Sequence, residues 1–155
     1  MHGFNERMTE VADKRLVFRI AGVGFVLSLE DLVEIREAGA GVLDRSAADP
    51  EIGLLGLLAY RDEAIHAINI RHRVGLPVPE AYETAYIVVN GSDGAWAMPV
   101  DKIEGIFSAE EFVLHEVPLL LRMNGDLPYQ SLHLWRSEPL IGFEPLAIEQ
   151  AGGAG

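Results

Sequence analysis

Two mostly apolar runs with strand character, near the start of the chain, predict a β-hairpin. Leu16–Ile20 and Phe25–Leu29 are rich in β-branched and aromatic residues, and the four residues between them include two glycines. Residues 30–32 favour one helical turn, and residues 33–37 again have strand character. The first part of the chain is therefore expected to form a hairpin, a short helical turn and a third strand.

A second hairpin follows a loop-like segment, and the pattern then restarts. Residues 38–50 are rich in Gly, Ala, Ser and Asp, which is typical of a loop, and Leu54–Tyr60 and Ala64–Ile70 flank a short charged turn. Pro77 and Pro79 mark a junction. Beyond it, strands are predicted at 84–90, 95–100, 104–107, 129–136 and 140–143.

The restart resembles an internal repeat with an offset of 70 residues. With that offset, Gly24, Asp31, Val33 and Glu34 fall on Gly94, Asp101, Ile103 and Glu104. The repeated order of strand, glycine turn, strand, acidic turn and strand is a stronger indication than these identities. We predict two related barrels of about five strands each, because closure removes the exposed edges of short strands. A barrel of about 70 residues buries little core, so the two barrels are expected to pack on each other.

These patterns predict the boundaries of the chain's parts. Residues 1–14 are expected to be a flexible segment, 15–79 the first barrel, 80–148 the second barrel and 149–155 a flexible tail, with an exchange of terminal strands between the barrels left open. Whether residues before Met8 are native also stays open. Helix is expected only in short turns, near Glu30–Leu32, Ile70–Val74, Asp101–Ile103 and Pro145–Ile148.

The composition excludes several classes of function. The 155 residues carry 12 Lys and Arg against 24 Asp and Glu, a formal net charge of -12. Such a surface repels phosphates and anionic lipids, so neither nucleic acid nor a membrane surface is an expected partner. The longest apolar run, Ile52–Tyr60, is about half the length that a transmembrane helix needs. The N-terminus lacks the apolar core of a secretory signal, which favours a cytoplasmic location.

The sequence contains no recognised catalytic or metal-binding pattern. It has no cysteine, and its five histidines lack a ligand spacing even at the closest pair, His66 and His72. No serine has the Gly-x-Ser-x-Gly setting of a hydrolase, and Gly22 and Gly24 belong to a hairpin rather than to a phosphate-binding loop. We therefore predict a binding protein and no enzyme, with no cofactor and no metal.

Residues 56–71 resemble the signature of the CheW family of chemotaxis adaptors, which is roughly G-(apolar)-(apolar)-N-(apolar)-R-G-x-(apolar)-(apolar)-P-(apolar)-(apolar)-D-L-R. Gly56, Arg61 and Arg71 match this signature, as do the apolar positions. The aspartate in place of the turn glycine is tolerable, because Asp accepts left-handed conformations. The departures from the signature are Ala59, Asp62, His66 and Asn69, where the family has Asn, Gly, Pro and Asp.

Two further stretches extend the resemblance over residues 15–148. Residues 18–36 are similar to the family's opening strands and its V-x-E-I stretch, and residues 100–106 are similar to its V-D-x-V-x-x-V. The resemblance implies an all-β fold of two packed SH3-like five-stranded barrels with short helical turns only. It also implies a non-catalytic adaptor that couples chemoreceptors to a chemotaxis histidine kinase.

The same resemblance implies two kinds of protein partner. One is the regulatory domain of the histidine kinase, engaged barrel to barrel. The other is the cytoplasmic tip of a chemoreceptor, an antiparallel coiled-coil hairpin that lies in a groove between the barrels. The arginine at position 61 is implicated in this coupling, and residues 34–36 border the receptor groove. The predicted protein-binding residues are Glu34, Ile35, Arg36, Leu54, Gly56, Leu57, Arg61 and Arg71.

Other interpretations of the same residues stay open. Arg61 is either an exposed turn arginine paired with a neighbouring acid or the anchor of an interface, and its side chain is expected to be exposed. A CheW-like protein could also serve a non-flagellar signalling system or associate with its own kind. A small-ligand-binding barrel or a hydrolase would use a cleft near His66 and Arg61.

Overall fold

The computed structural model describes residues 13–37, 43–71, 85–116 and 131–153. Within these ranges the chain is mostly β-strand, and the short 3-10 turn at Leu29–Asp31 matches the helical turn predicted at 30–32. One α-helix, α1, covers Pro145–Gly153. The strands are β1 (Lys14–Ile20), β2 (Val23–Ser28), β3 (Leu32–Glu37), β4 (Leu43–Asp44), β5 (Leu54–Tyr60), β6 (Glu63–Ile68), β7 (Ala85–Gly91), β8 (Gly94–Val100), β9 (Lys102–Ser108), β10 (Phe112–Glu116), β11 (Ser131–Trp135) and β12 (Glu138–Gly142).

Three two-residue turns set the register of the hairpins β1–β2, β5–β6 and β11–β12. Both residues of each turn, Ala21–Gly22, Arg61–Asp62 and Arg136–Ser137, have positive φ, and the residues that flank each turn pair directly. This is the conformation of a type I′ turn, whose twist matches the twist of the strands. The second and third turns contain no glycine, so they hold side chains in a backbone region that most residues disfavour.

Within the described residues, the strands form two sheets of six strands each, one more than predicted, and the two sheets have the same internal order. Sheet I is β10-β11-β12-β2-β1-β9, and sheet II is β4-β5-β6-β8-β7-β3. In each sheet a hairpin (β1–β2 or β7–β8) lies beside a parallel neighbour (β12 or β6). That hairpin comes from the other half of the chain. The boundary predicted at residue 79 therefore separates the two halves of the sequence rather than the two sheets, because the halves exchange their first hairpins.

The internal repeat has a pairing offset of 71 residues rather than 70. Ile20 and Val23 flank the turn of β1–β2, and Gly91 and Gly94 flank the turn of β7–β8. Gly94 is therefore equivalent to Val23 and not to Gly24, so the identity of the two glycines is coincidental. The order of strands and turns was the correct signal of the repeat.

The helical segments differ from the prediction in two places. The turn expected at Asp101–Ile103 is wrong, because β9 begins at Lys102 and the Asp101 carboxylate accepts a hydrogen bond from the Ala21 N–H at 2.6 Å. The helix expected to end at residue 148 continues as α1 to residue 153, so it covers most of the segment expected to be a flexible tail. The turn expected at Ile70–Val74 and the N-terminal segment lie largely outside the described residues.

The exchanged hairpins bury both of their faces. On one face, alternate side chains join a core that the two sheets share, which comprises Leu16, Phe18, Ile20, Phe25, Leu27, Ile70, Ala85, Ile87, Val89, Trp96, Met98, Val100, Phe143 and Ile148. On the other face, Val17 and Val26 fill the barrel of sheet I, and Tyr86, Val88 and Ala97 fill the barrel of sheet II. Because strand side chains alternate between faces, burial of both faces requires nearly continuous apolar sequence.

Candidate protein-binding surface

The edge strand β3 of sheet II holds three of the predicted binding residues. Ile35 is 37% exposed and pairs with Ile87 of the shared core, so it extends that core to the surface. The Arg36 guanidinium donates a hydrogen bond to the Ala59 carbonyl of β5 and lies 3.8 Å from the Glu34 carboxylate. Since β3 and β5 lie near opposite ends of the strand order, this bond helps to close sheet II into a barrel.

The hairpin β5–β6 carries Arg61 at its tip, two residues beyond Ala59. The Arg61 side chain is exposed, as predicted. The φ angles are 46° at Arg61 and 64° at Asp62, so the aspartate adopts the left-handed conformation for which a glycine is usual. The guanidinium carbon lies 5.1 Å from the centroid of the Tyr60 ring. This cation–π contact orients Arg61 without removing it from solvent.

The first residues of β5 pack within the barrel of sheet II. Leu54 and Leu57 are half-buried, and Leu58 is fully buried. Gly56 has φ of 148°, and a Cβ at this position would lie 2.1 Å from the carbonyl oxygen of Asp44 in β4. Gly56 is therefore needed for the close approach of two backbones, and any part it has in binding is indirect.

Arg71 lies apart from the other predicted binding residues. It is 7% exposed, and its guanidinium forms an ion pair with the Asp101 carboxylate. Its backbone N–H donates a hydrogen bond to Asn69 Oδ1 at 3.0 Å. A side chain buried in this way presents little surface to a partner, so its predicted role in binding has to act through the fold.

The sequence analysis missed the equivalent arginine of sheet I. Arg136 occupies the turn of β11–β12, which has the same place in sheet I as β5–β6 has in sheet II. Its guanidinium carbon lies 4.5 Å from the Trp135 ring centroid and 5.0 Å from that of Phe107, and it pairs with Glu111 at 3.4 Å. The signal was present in the sequence, because both turns follow the order aromatic, Arg, turn residue, Glu.

Sheet I holds a charge cluster around Arg19 of β1. The Arg19 guanidinium donates two hydrogen bonds to Glu138 of β12, at 2.6 and 2.7 Å, and one to Glu104 of β9 at 2.8 Å. These bonds hold the pKa values of both carboxyl groups below their ordinary range and raise the pKa of Arg19. The cluster fixes three strands of one sheet.

Comparison with known proteins assigns this architecture to a family. Residues 14–126 match the CheW-like domain family, which is more than half of the chain. The chain belongs to the CheW-like family. Among solved structures it resembles the scaffolding protein TtCheW from Thermoanaerobacter tengcongensis, with 16% sequence identity and a TM-score of 0.68 over 88% of this chain and 92% of that one. No curated protein sequence gives a significant match.

The CheW-like assignment confirms the family resemblance and the all-β, two-barrel fold expected from the sequence. It supports a role as an adaptor or scaffold in chemotaxis signalling, and the family is a non-catalytic one. In the parts of the chain that the structure describes, no helix combines the length and the hydropathy needed to cross a membrane.

A cleft beside His66 tests the competing interpretation of a ligand-binding barrel or hydrolase. This cleft of about 380 Å³ lies between β6, the turn of β7–β8 and α1, and its wall includes His66, Trp96 and Glu149. Arg61 does not line it, so the structure does not bring together the two residues on which that interpretation depended. Within the described ranges, no three His, Asp or Glu side chains are placed to hold a metal ion.

Proposed function

We propose that this CheW-like chain is a non-catalytic cytoplasmic adaptor that couples a chemoreceptor tip to a chemotaxis histidine kinase. The observation that carries the proposal is the exposed Arg61 at the tip of a hairpin with a type I′ turn, next to the β3 edge. Arginine is among the residues that dominate binding energy at protein interfaces, and the buried centre of an interface is more apolar than the rest of the surface.

The surface divides into two adjoining parts. Arg61, at the tip of β5–β6, is proposed to pair with an acidic group on the regulatory domain of the kinase. Ile35, with Glu34 and Arg36 on either side, is proposed to border the groove that receives the helical hairpin of the receptor. Leu54, Gly56 and Leu57 shape β5 beneath these contacts.

Two features lower the cost of binding at Arg61. The type I′ turn fixes the backbone, and the contact with Tyr60 restricts the side chain before a partner arrives. Ordering a long side chain at an interface usually costs about 0.5–1.5 kcal/mol, and a pre-ordered arginine avoids part of that cost.

The test compares Arg61→Ala with Arg136→Ala, because the second variant removes the same group from the equivalent turn of the other sheet. Isothermal titration would measure binding to the kinase regulatory domain and to a receptor-tip peptide from the same genome. We expect Arg61→Ala to weaken binding to at least one partner by about 1–3 kcal/mol, a factor of roughly 5–150 in Kd. Arg136→Ala is expected to keep the wild-type affinity.

Several outcomes would contradict this assignment. Equal losses in both variants would indicate a general effect of charge, and an unchanged affinity in Arg61→Ala would leave Arg61 an ordinary surface residue. No binding of the wild type to either partner would refute the coupling role. Copurification with receptors of a pathway other than flagellar chemotaxis would instead favour the non-flagellar alternative.

A further inference from the structure

Two motifs that are 30 residues apart in the sequence meet in one ion pair. Arg71 closes the first signature, and Asp101 belongs to the V-D-x-V-x-x-V stretch. Their charged groups are in direct contact, with the Arg71 side chain 8% and the Asp101 side chain 38% exposed. Neither residue belongs to the surface formed by Arg61 and β3, so their position needs a separate explanation.

Asp101 is the single residue that connects the two sheets at this point of the chain. β8 of sheet II ends at Val100, and β9 of sheet I begins at Lys102. The Asp101 backbone N–H donates to the Arg19 carbonyl of β1 at 3.0 Å, and its Oδ2 accepts from the Ala21 N–H at 2.6 Å. Asp101 is therefore bound to sheet I by its backbone and by one carboxylate oxygen.

Arg71 approaches the same point from sheet II. It follows β6, and its neighbour Ile70 is fully buried in the shared core. The Arg71 guanidinium contacts the other carboxylate oxygen, Oδ1, of Asp101. The Asp101 carboxylate thus accepts a hydrogen bond from the Ala21 backbone of sheet I. It also forms an ion pair with Arg71, which follows β6 of sheet II.

We infer that Arg71 and Asp101 form a clamp that fixes the two barrels relative to each other, and that Arg71 serves binding by positioning and not by contact. An ion pair whose guanidinium is buried, and whose carboxylate is held by a second hydrogen bond, has a narrow range of geometries, unlike apolar packing, which is not directional. A clamp across the junction therefore restricts the angle between the two barrels more than the packing of the shared core does alone. This inference rests on the proposed function only where it concerns partner binding.

The test measures the distance between the barrels directly. The chain has no cysteine, so Ala64→Cys on β6 and Ser137→Cys in the β11–β12 turn give two exposed spin-label sites, one on each sheet. Pulsed electron paramagnetic resonance then reports the distribution of distances between them. Arg71→Gln removes the cation, and Asp101→Asn removes the charge but keeps an oxygen that can accept from Ala21. Arg71→Lys keeps the charge and is the conservative variant.

The matched control is Arg19→Gln, which breaks a charge cluster that lies within sheet I alone. It is expected to lower thermal stability and to leave the distance distribution unchanged. Arg71→Gln and Asp101→Asn are expected to broaden the distribution, and the double variant to broaden it no further than either single one. Arg71→Lys should give a distance distribution nearly as narrow as that of the wild type.

Binding to the kinase regulatory domain gives the second readout. If one molecule in ten keeps the competent geometry, the apparent Kd in Arg71→Gln rises about tenfold. Unchanged distances in folded Arg71→Gln and Asp101→Asn would overturn the clamp, and weaker binding with unchanged distances would indicate direct contact by Arg71. Because the distances are measured without a partner, a wild type that does not bind would refute the proposed function and leave the clamp to be judged on the distances alone.

Discussion

The two sheets have one strand order but fill their barrels with different side chains. The barrel of sheet II is filled by buried aliphatic and tyrosine side chains, namely Leu58, Tyr60, Ile65, Ala67, Tyr86, Val88 and Ala97. Among the described residues, the barrel of sheet I is filled by Val17, Val26, Trp135 and Leu140, with Phe107 and Phe112 half-buried beside them. The shared topology therefore fixes where each core lies, and the sequence decides which side chains fill it.

The two sheets also differ in the charged groups that hold their strands together. Sheet I carries Arg19 with its two carboxylates, and the equivalent position in sheet II, 71 residues on, is the exposed Asn90. Sheet II closes instead through the bond from Arg36 to a backbone carbonyl. One barrel therefore depends on ionised carboxyl groups, and the other depends on an arginine that stays charged at all relevant pH values.

The largest difference in stability loss between the sheets is expected when one glycine of each sheet is replaced by alanine. Gly56 and Gly105 have φ of 148° and 145°, but a Cβ on Gly56 meets the Asp44 backbone at 2.1 Å, and one on Gly105 meets the Phe107 ring at 3.1 Å. A ring can shift and a paired backbone cannot. Gly56→Ala should therefore cost about 3 kcal/mol or more of unfolding free energy, and Gly105→Ala about 1–2 kcal/mol.

Urea unfolding followed by circular dichroism measures both losses. A cost at Gly105 equal to that at Gly56 would show that backbone strain dominates at both positions and that the nature of the neighbour has little effect.

Acid should loosen sheet I before sheet II. Arg19 lowers the pKa values of Glu104 and Glu138, so the stability from this cluster is complete above pH about 4.5 and is lost as pH falls through the lowered values. In the same sheet, burial and the nearby Arg15 lower the pKa of His133 from 6.5, so the unfolded state binds a proton first and stability falls as pH drops below that value.

Hydrogen exchange at pH 7 and pH 4 measures the protection of the backbone amides in each sheet separately. We expect β9, β11 and β12 to lose protection at pH 4 before β5 and β6 do, and Arg19→Gln to flatten the dependence. Two groups limit this contrast: burial raises the pKa of Asp31, so its contribution is lost as pH rises, and hydrogen bonds from Ser46 lower the pKa of Asp44 in β4, so sheet II also loses some stability in acid. Simultaneous loss of protection in both sheets would mean that the shared core unfolds as one unit.

The smallest effects are expected in the two turns that lack glycine. Asp62 and Ser137 have φ of 64° and 66°, a region that glycine occupies without strain. Ser137→Gly should stabilise the protein by about 1 kcal/mol, and Asp62→Gly by less, because aspartate tolerates this conformation better than serine does. Thermal melts of both variants check the order, and a loss of stability in either would mean that the replaced side chain has a contact that outweighs the strain.

The local elements could be predicted from the sequence because the signals that form them are local. Apolar runs on either side of short turns indicated the hairpins, and the charged turn between two such runs indicated an exposed Arg61. The exchange of hairpins could not be predicted in the same way, since the side-chain period shows which faces are buried and not which strand lies alongside. Residues 85–89 are continuously apolar and all buried, but they were predicted only as a strand, without the burial of both faces.

The binding surface was predictable only in part. The motif placed Arg71 among the binding residues, but its burial depends on Asp101, which no pattern near Arg71 reveals. Gly56 was matched as a family position, but the reason for it is the Asp44 backbone on a neighbouring strand. Arg136 was overlooked because the search for repeats relied on glycines and acids, whereas the equivalent positions are an aromatic residue followed by arginine.

The exchange of hairpins also has a consequence for biosynthesis. The strands β1 and β2 leave the ribosome first, but the carboxylates that Arg19 of β1 binds lie 85 and 119 residues further along the chain. At about 5–20 residues per second, this hairpin waits on the order of ten seconds for its neighbours in sheet I. Phe143, against which Phe18 and Phe25 pack, is made equally late, so the nascent chain presents an apolar hairpin that is only partly covered until residue 143 has been added.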